Sequence, residues 1–479
     1  MAAGSLAHTD GGTGSGYLRP PEEPMNDQDT RAKTAIVNAV VYCCDDGSRS
    51  FNPGSVVFSD GVITAVGPTG GVEVPDSATV IDAGGRLAVL PGLIDAHSHS
   101  SLLKGYSENA QLMDWLPEYQ REHQVLTPDD AYYGYLVSYM EALKGGTTTV
   151  MDMYRYPHKG AEAAAALGMR ANLVPYAADH PTKHFFETLE TSEQLIRDCH
   201  DTHDGRIRVW LGLEHITYCS EQMFQRVGEL ADAYGVSVHT HTSEQSEEVD
   251  VVVELFGDRP VHVFSERGIL RPGSVLAHCV YVDDAEIAVL AETGTGVAHC
   301  PVSNMKLAGG TAPLERFWDQ GIVVGLGTDG GISNNSVSMW ECMKIGSLLQ
   351  KVARLDATAV SADEALRMAT IDGARLLGIG EAVGSIEVGK QADVITVDLW
   401  QPHLLPVALS EGHDPILWNL VFAGRSSDVR DVWVQGRACV AGGEICGVDE
   451  SEALTEIHER TVDLLRRREG MPAIPMVAD

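Results

Sequence analysis

PGLIDAHSHS, residues 91–100, is an apolar run that ends in two histidines, His97 and His99. Along a β-strand, side chains alternate between faces, so residues two apart project the same way. Two imidazoles side by side at a strand's end can grip one cation. A pair of surface histidines is the alternative. The apolar residues just before them mark a strand committed to a core and disfavour it.

The same spacing recurs in GVSVHTHTSEQ, residues 235–245, where His239 and His241 are two apart and Glu244 follows three later. His278 ends the apolar run of VLAHCVY (275–281), and Asp329 ends that of VVGLGTDGGISNN (323–335). A lone histidine on a strand is more often a satisfied core residue than a ligand. Several of them at the ends of different strands, with a carboxylate, make a far more specific pattern.

Those strands belong to a longer series. Eight β-prone runs, 90–97, 147–153, 170–176, 207–213, 235–241, 273–280, 295–300 and 321–328, alternate mostly with helical segments. Thr127-Pro128 reads as a helix N-cap and first residue, and Gly145-Gly146 as its stop. Ser361 and Glu364 form a capping box before another helix. Eight β/α units over about 290 residues predict a (β/α)₈ barrel, whose usual size is ~250 residues plus insertions. A doubly wound open sheet is the competitor, but no Gly-rich phosphate loop follows any strand. Catalytic groups of such barrels sit at the C-terminal strand ends, where these histidines and Asp329 fall.

The flanks read as a small β module. Strands are expected at 34–43, at 55–66 with a turn at Asp60-Gly61, and at 78–85. Further strands are expected at 392–398 and 430–435, pairing with the first group in one split β-sandwich. The resulting division is a disordered tail (1–32), two sandwich parts (33–89 and 386–445), the barrel (90–385) and a C-terminal helical segment (446–479). Gly, Ser, Pro and acidic residues dominate the tail, which lacks the basic and apolar regions of a signal peptide.

The chain has 479 residues, with 34 Lys and Arg against 68 Asp and Glu, a net charge of −34. Such a surface repels nucleic acid and anionic membrane. No apolar run approaches the ~20 residues of a membrane span. Nine cysteines without a CxxC pair fit a reducing compartment better than a disulfide scaffold. A cytoplasmic protein, expected to form a dimer or larger homo-oligomer and to act on a small molecule, is the reading.

Longer motifs add a resemblance. PGLIDAHSHS, LMDWL (112–116), GGTTTVMDMY (145–154), HTHTSE (239–244), AHCVY (277–281), HCPVSNMKL (299–307), GLGTDGGISNN (325–335), MATIDGARLLG (368–378) and GSIEVGKQADVITVD (384–398) carry it. On these motifs the chain resembles the amidohydrolase superfamily. Within it, the chain is similar to the branch of S-adenosylhomocysteine and methylthioadenosine deaminases and triazine hydrolases. The resemblance implies that His97, His99, His241 and Asp329 bind one divalent metal, commonly zinc, with Fe, Co and Mn as alternatives. It implies that Glu244 shuttles protons and that His278 touches the hydroxide or the substrate. Trp115, Gln124, His215, His299 and Asn304 match substrate-side positions, with a structural hydrogen-bonding role as the alternative for the last three, and His239 is expected to pack below the site.

Two enzyme activities compete. One is an aminohydrolase releasing ammonia from a purine-, pterin- or triazine-like heterocycle, with Glu244 as the acid for a ring nitrogen. The other cleaves a urea, carbamate, amide or carbon–chlorine bond. A non-catalytic scaffold ranks last because every ligand position is filled. The stretch NLVPYAADHPTKHFF (172–186) has no arginine, and the best register puts Gln124 where nucleoside deaminases place a carboxylate, with Glu122 as the nearby alternative. These departures predict that nucleosides needing an ionic anchor are poor substrates.

Overall fold

The structure is a computed structural model describing residues 33–408 and 414–474. The expected N-terminal tail, 1–32, lies outside the described residues.

The central runs form two five-stranded sheets, parallel throughout. One sheet runs in the order Asp329–Gly330, Leu93–His99, Thr147–Tyr154, Arg170–Pro175, Ile207–Val209. The other runs Leu211–Leu213, Val238–Thr242, Val275–His278, Gly296–His299, Val324–Leu326. Both breaks between sheets fall inside single sequence runs, at Trp210 and at Gly327-Thr328. Nearly every residue of these strands is buried, as expected of parallel strands covered by helices. The Pro128–Lys144 helix begins on a capping box between Thr127 and Asp130, with Pro128 in its first turn. The Ala362–Met368 helix begins on the Ser361–Glu364 box.

The run 90–97, read as one barrel strand, is two strands. Leu87–Pro91 pairs antiparallel with Val394–Asp398, and only Leu93–His99 joins the central sheets. The break is at Gly92, where a Cβ would lie 2.1 Å from the Thr148 hydroxyl oxygen. Only glycine lets the chain cross so close to the second strand.

The terminal segments meet in one nine-stranded sheet. Thr34–Tyr42 lies between Ser50–Ser59 and Leu87–Pro91, and the C-terminal strands Val394–Asp398, Val429–Val434 and Arg437–Ala441 continue outward. The expected hairpin turn is present, with Asp60 and Gly61 both at positive φ, 53° and 83°. Buried Arg170, on the third parallel strand, joins the two parts. Its guanidinium grips both oxygens of Asp393 at 3.1 and 3.2 Å, and Gln391 Oε1 at 2.6 Å. The Glu450–Arg468 helix follows the sheet. Among the described residues no helix is long and apolar enough to cross a membrane.

Candidate active site

The C-terminal ends of the first, fifth, sixth and eighth parallel strands bring His97, His99, His241, His278 and Asp329 together. The Asp329 carboxylate oxygen Oδ1 lies 3.4 Å from His97 Nε2 and 3.3 Å from His99 Nε2. His99 Nε2 and His241 Nε2 face each other at 3.0 Å. All of these side chains are buried.

The imidazole tautomers follow from their outer partners. His99 Nδ1–H donates to the Met153 carbonyl at 2.5 Å, and His241 Nδ1–H to the Glu214 carbonyl at 2.7 Å. His97 Nδ1–H donates to His239 Nε2 at 2.7 Å, and His239 Nδ1–H to the Val275 carbonyl at 2.9 Å. His278 Nδ1–H donates to Asn304 Oδ1 at 2.9 Å. A carbonyl oxygen can only accept, so each Nδ1 keeps its proton and the inward Nε2 of His97, His99 and His241 carries a lone pair, whereas against its burial Glu244 and Asp329 hold His278 above the usual imidazole range. Burial pushes His97 down to about 3 and holds His99 and His241 below the usual imidazole range, so all three are neutral near pH 7.

This donor set fits a divalent cation. Lone pairs of His99 and His241 aimed at each other repel unless a cation sits between them, and buried His97 Nε2 has no hydrogen-bond partner among the described residues. Ligands ~2.0–2.2 Å from a tetrahedral zinc stand about 3.3–3.5 Å apart, close to the spacings found. Three imidazoles and a carboxylate are ligands that zinc accepts, as do other first-row metals. The outward hydrogen bonds are the partners that orient metal-binding histidines.

The backbone is bent to make this arrangement. His278 and Asp329 both lie in the left-handed region, at φ 72° and 61°. Such positions cost ~1–3 kcal/mol each without glycine and recur where a site over-determines them. The glycine before this turn is Gly327, whose added Cβ would lie 2.9 Å from His97 Cβ and from the His97 carbonyl oxygen. The eighth strand can therefore approach the first closely enough for Asp329 to face His97 and His99. Buried Asp95 ties the same pair, accepting from the His97 amide at 3.3 Å and the Thr328 amide at 2.9 Å.

Glu244 stands at the edge of this cluster, with Oε2 3.6 Å from His278 Nε2, and with His278 and Asp329 it forms a further group whose spacing could hold a metal ion. Its Oε1 is buried without a partner among the described residues. Burial, opposed by His278, pushes its carboxyl up to about 7. Burial alone would raise Asp329, but the imidazoles around it, His278 the one held in its charged form, keep it well below the usual carboxylate range. Two neighbouring carboxyl groups are thus split into one poised to exchange a proton near neutrality and one kept ionised.

The cleft beside them is walled by Trp115 and Tyr119, whose rings stack with centroids 5.0 Å apart, and by Tyr176 and Leu307. His215 lines it too, stacked on His241 at 4.9 Å. Burial lowers His215, but Glu214, 2.9 Å from its Nδ1, more than offsets this and brings it up to about 9. Asn304 reaches the site through His278. His299 is fully buried and is not part of the cleft wall; burial and the His278 charge push it down to about 3.

Gln124 is not in the cleft. It follows the Leu112–His123 helix, and its amide donates outward to the Pro472 carbonyl at 2.8 Å. Counting along a helix from Trp115 set the register but not the face: nine residues on, the chain points away from the cleft. Nor is the arginine-free stretch without a cation, because Lys183 is buried in it. The outward Gln124 removes one support of the predicted exclusion of ionically anchored nucleosides; the other stands, because Lys183 is buried away from the cleft wall. Tyr119 and Tyr176 were missed in the sequence. A Tyr four residues after Trp115 on one helix face was the available signal for the first. His239 was expected to pack below the site, and its hydrogen bond to His97 gives that position a purpose.

Residues 88–439 match the amidohydrolase family model. The chain is 39% identical over 436 residues to a 5-methylthioadenosine/S-adenosylhomocysteine deaminase of Syntrophobacter fumaroxidans, covering 89% of this chain and 97% of that one. A zinc-bound adenosine deaminase structure from Xanthomonas campestris superposes with TM-score 0.84 at 30% identity, over 91% of this chain and 99% of that one. The zinc complex of an atrazine chlorohydrolase from Arthrobacter aurescens gives TM-score 0.81 at 25% identity, over 89% and 100%. With its ligand geometry and the extent of these matches, the chain belongs to the amidohydrolase family.

Proposed function

We propose that this protein is a hydrolytic deaminase that releases ammonia from an adenine-type nucleoside or a related purine. Glu244 carries the reading: it is a buried carboxyl poised near pH 7, three residues past His241, that lines the cleft and has one oxygen without a partner among the described residues. Releasing ammonia requires protonation of a ring nitrogen and of a poor leaving group, and Glu244 is placed for both. A chloride leaving group would need no such acid.

His97, His99, His241 and Asp329 would hold one zinc ion per chain, with His278 at the edge of that site. When bound, such a cation supplies the Lewis acidity that lets water ionise near neutral pH. The protein's own groups do the rest. Asp329 accepts a proton from the attacking water. Glu244 gives its proton to the ring nitrogen, then takes the proton of the added hydroxyl and passes it to the departing amine; the proton held by Asp329 restores Glu244, so that water plus the C–NH₂ group become C=O and NH₃. His278, oriented by Asn304, donates to or accepts from the oxygen being added. Trp115, Tyr119 and Tyr176 offer π-faces to a planar ring, and His215 offers a polar contact at its edge.

The same reading takes the two parallel sheets as one closed (β/α)₈ barrel over 90–385. The terminal segments form a separate β module, and the chain is a cytoplasmic homo-oligomer. The deaminase names of the sequence relatives favour amine release over the urea, amide and carbon–chlorine alternatives. The test is ammonia release by zinc-loaded protein from adenosine, 5′-methylthioadenosine, S-adenosylhomocysteine, 5′-deoxyadenosine, guanine, an aminotriazine and an N-aryl urea. Turnover of an adenine nucleoside at or above ~10⁴ M⁻¹s⁻¹ is expected. No ammonia from any purine, with ammonia from the aminotriazine or aryl amine from the urea instead, would overturn the reading.

A further inference from the structure

We propose that residues 467–474 act as a strap that positions the substrate wall, with Lys183 as the positioning residue that joins strap to wall. The wall is the Leu112–His123 helix, whose Leu112, Trp115, Leu116 and Tyr119 line the cleft. This helix is poorly suited to stand alone. Pro117 interrupts its interior, and its N-cap, Gln111, makes no side-chain capping bond. Its support comes from the other end of the chain.

Arg468 Nη2 donates to the Glu118 carbonyl at 2.9 Å, on the helix itself. In return Arg121 donates to the carbonyls of Met471 at 2.7 Å and Glu469 at 3.3 Å, and Gln124 to that of Pro472 at 2.8 Å. Arg467 anchors the strap's root, pairing with Asp130 at 2.8 Å. Successive strap carbonyls therefore grip the outer side of the helix whose inner side faces substrate.

Lys183 closes the connection. It is 1% exposed, and among the described residues no carboxylate stands within ion-pair distance of it. Its Nζ donates to Gln120 Oε1 on the helix at 2.7 Å and to the Ile474 carbonyl on the strap at 3.1 Å, above the Tyr218 ring at 4.6 Å. A buried ammonium held by neutral acceptors is costly when one of them is withdrawn. Burial, opposed by Glu214, already lowers its pKa to about 8. From Gln120 the contacts run on through Nε2 to Tyr218 at 3.3 Å and Glu214 at 3.5 Å, and Glu214 holds His215 in the cleft. The strap lies beyond residues 88–439, so the family match says nothing of it.

The consequence for substrate rests on the deaminase reading; the consequence for the wall does not, and the experiment separates them. In the zinc-loaded protein, residues 473–479 are deleted, Lys183→Met is made, and the two changes are combined. Two quantities are read: amide hydrogen exchange over 112–123, and KM and kcat for ammonia release from 5′-methylthioadenosine. Each single change is expected to speed exchange in that helix about tenfold. Each is also expected to raise KM about tenfold, with kcat within threefold and zinc content unchanged. The combination should match either single change, because both cut one connection. Unchanged exchange over 112–123, a multiplied hundredfold effect in the combination, or loss of zinc would overturn the proposal. Should Lys183→Met fail to fold, Arg121→Ala, nearer the surface, removes two strap bonds and is read the same way. If the unmodified protein deaminates no adenine nucleoside, the functional reading falls while the exchange data still judge the strap.

Discussion

The metal-side strand ends and the substrate wall lie on the same cleft but are held in different ways. His97, His99 and His241 project from parallel strands, and their imidazoles are fixed by short bonds to the Met153 and Glu214 carbonyls and to His239. The wall rides on a Pro-interrupted helix clamped from outside by a distant segment. Strand backbone gives the His97, His99 and His241 imidazoles a rigid frame, while long-range side-chain contacts set the shape of the cleft wall. The first is a local consequence of period-2 spacing; the second is assembled only when the whole chain has folded.

That contrast can be broken at several points. The largest effects belong on the metal side. Asp329→Ala should lose both zinc and activity, whereas Glu244→Gln should keep a full complement of zinc and lower kcat by ~10²–10⁴. Elemental analysis beside steady-state kinetics checks both. If Glu244→Gln loses its zinc, the carboxyl is a ligand and the division of labour drawn above is wrong.

A smaller effect is expected one layer out. His239→Ala leaves His97 Nδ1–H without its acceptor and should weaken zinc binding by about 10–100-fold in a chelator competition. His239→Gln restores an acceptor and should recover much of that loss. Equal losses in the two variants would mean that His239 acts by packing alone.

The smallest effect belongs to the wall's outer face. Gln124→Ala removes one exposed hydrogen bond of ~0.5–1 kcal/mol, so KM should rise no more than about fivefold, with kcat unchanged. Abolished turnover would return Gln124 to the substrate and contradict its outward orientation.

Much of the site was legible before folding. His97 and His99, His239 and His241 announce themselves because strand geometry is local, and residues two apart must share a face. The alternation of strands and helices and the capping boxes at Thr127 and Ser361 are likewise short-range. Gln124 shows where such reading stops: its distance along the chain from Trp115 was known, but its direction depends on the Pro472 carbonyl, 348 residues away. Lys183 was overlooked for a related reason. A lysine in a polar stretch reads as solvated, and nothing nearby in sequence reveals that Gln120 and Ile474 enclose it.

By itself, then, the sequence determined the alternating strand–helix order, the ligand types and their strand-end placement, because these depend on periodicity and residue chemistry over a few positions. The tertiary structure decided which nitrogen of each imidazole faces inward, since that follows from carbonyls on neighbouring strands. It decided that Asp329 meets His97 and His99, through a left-handed turn and the close approach at Gly327. It also decided which side of the Leu112–His123 helix faces the cleft, because the contacts that orient a helix come from segments that sequence distance does not reveal.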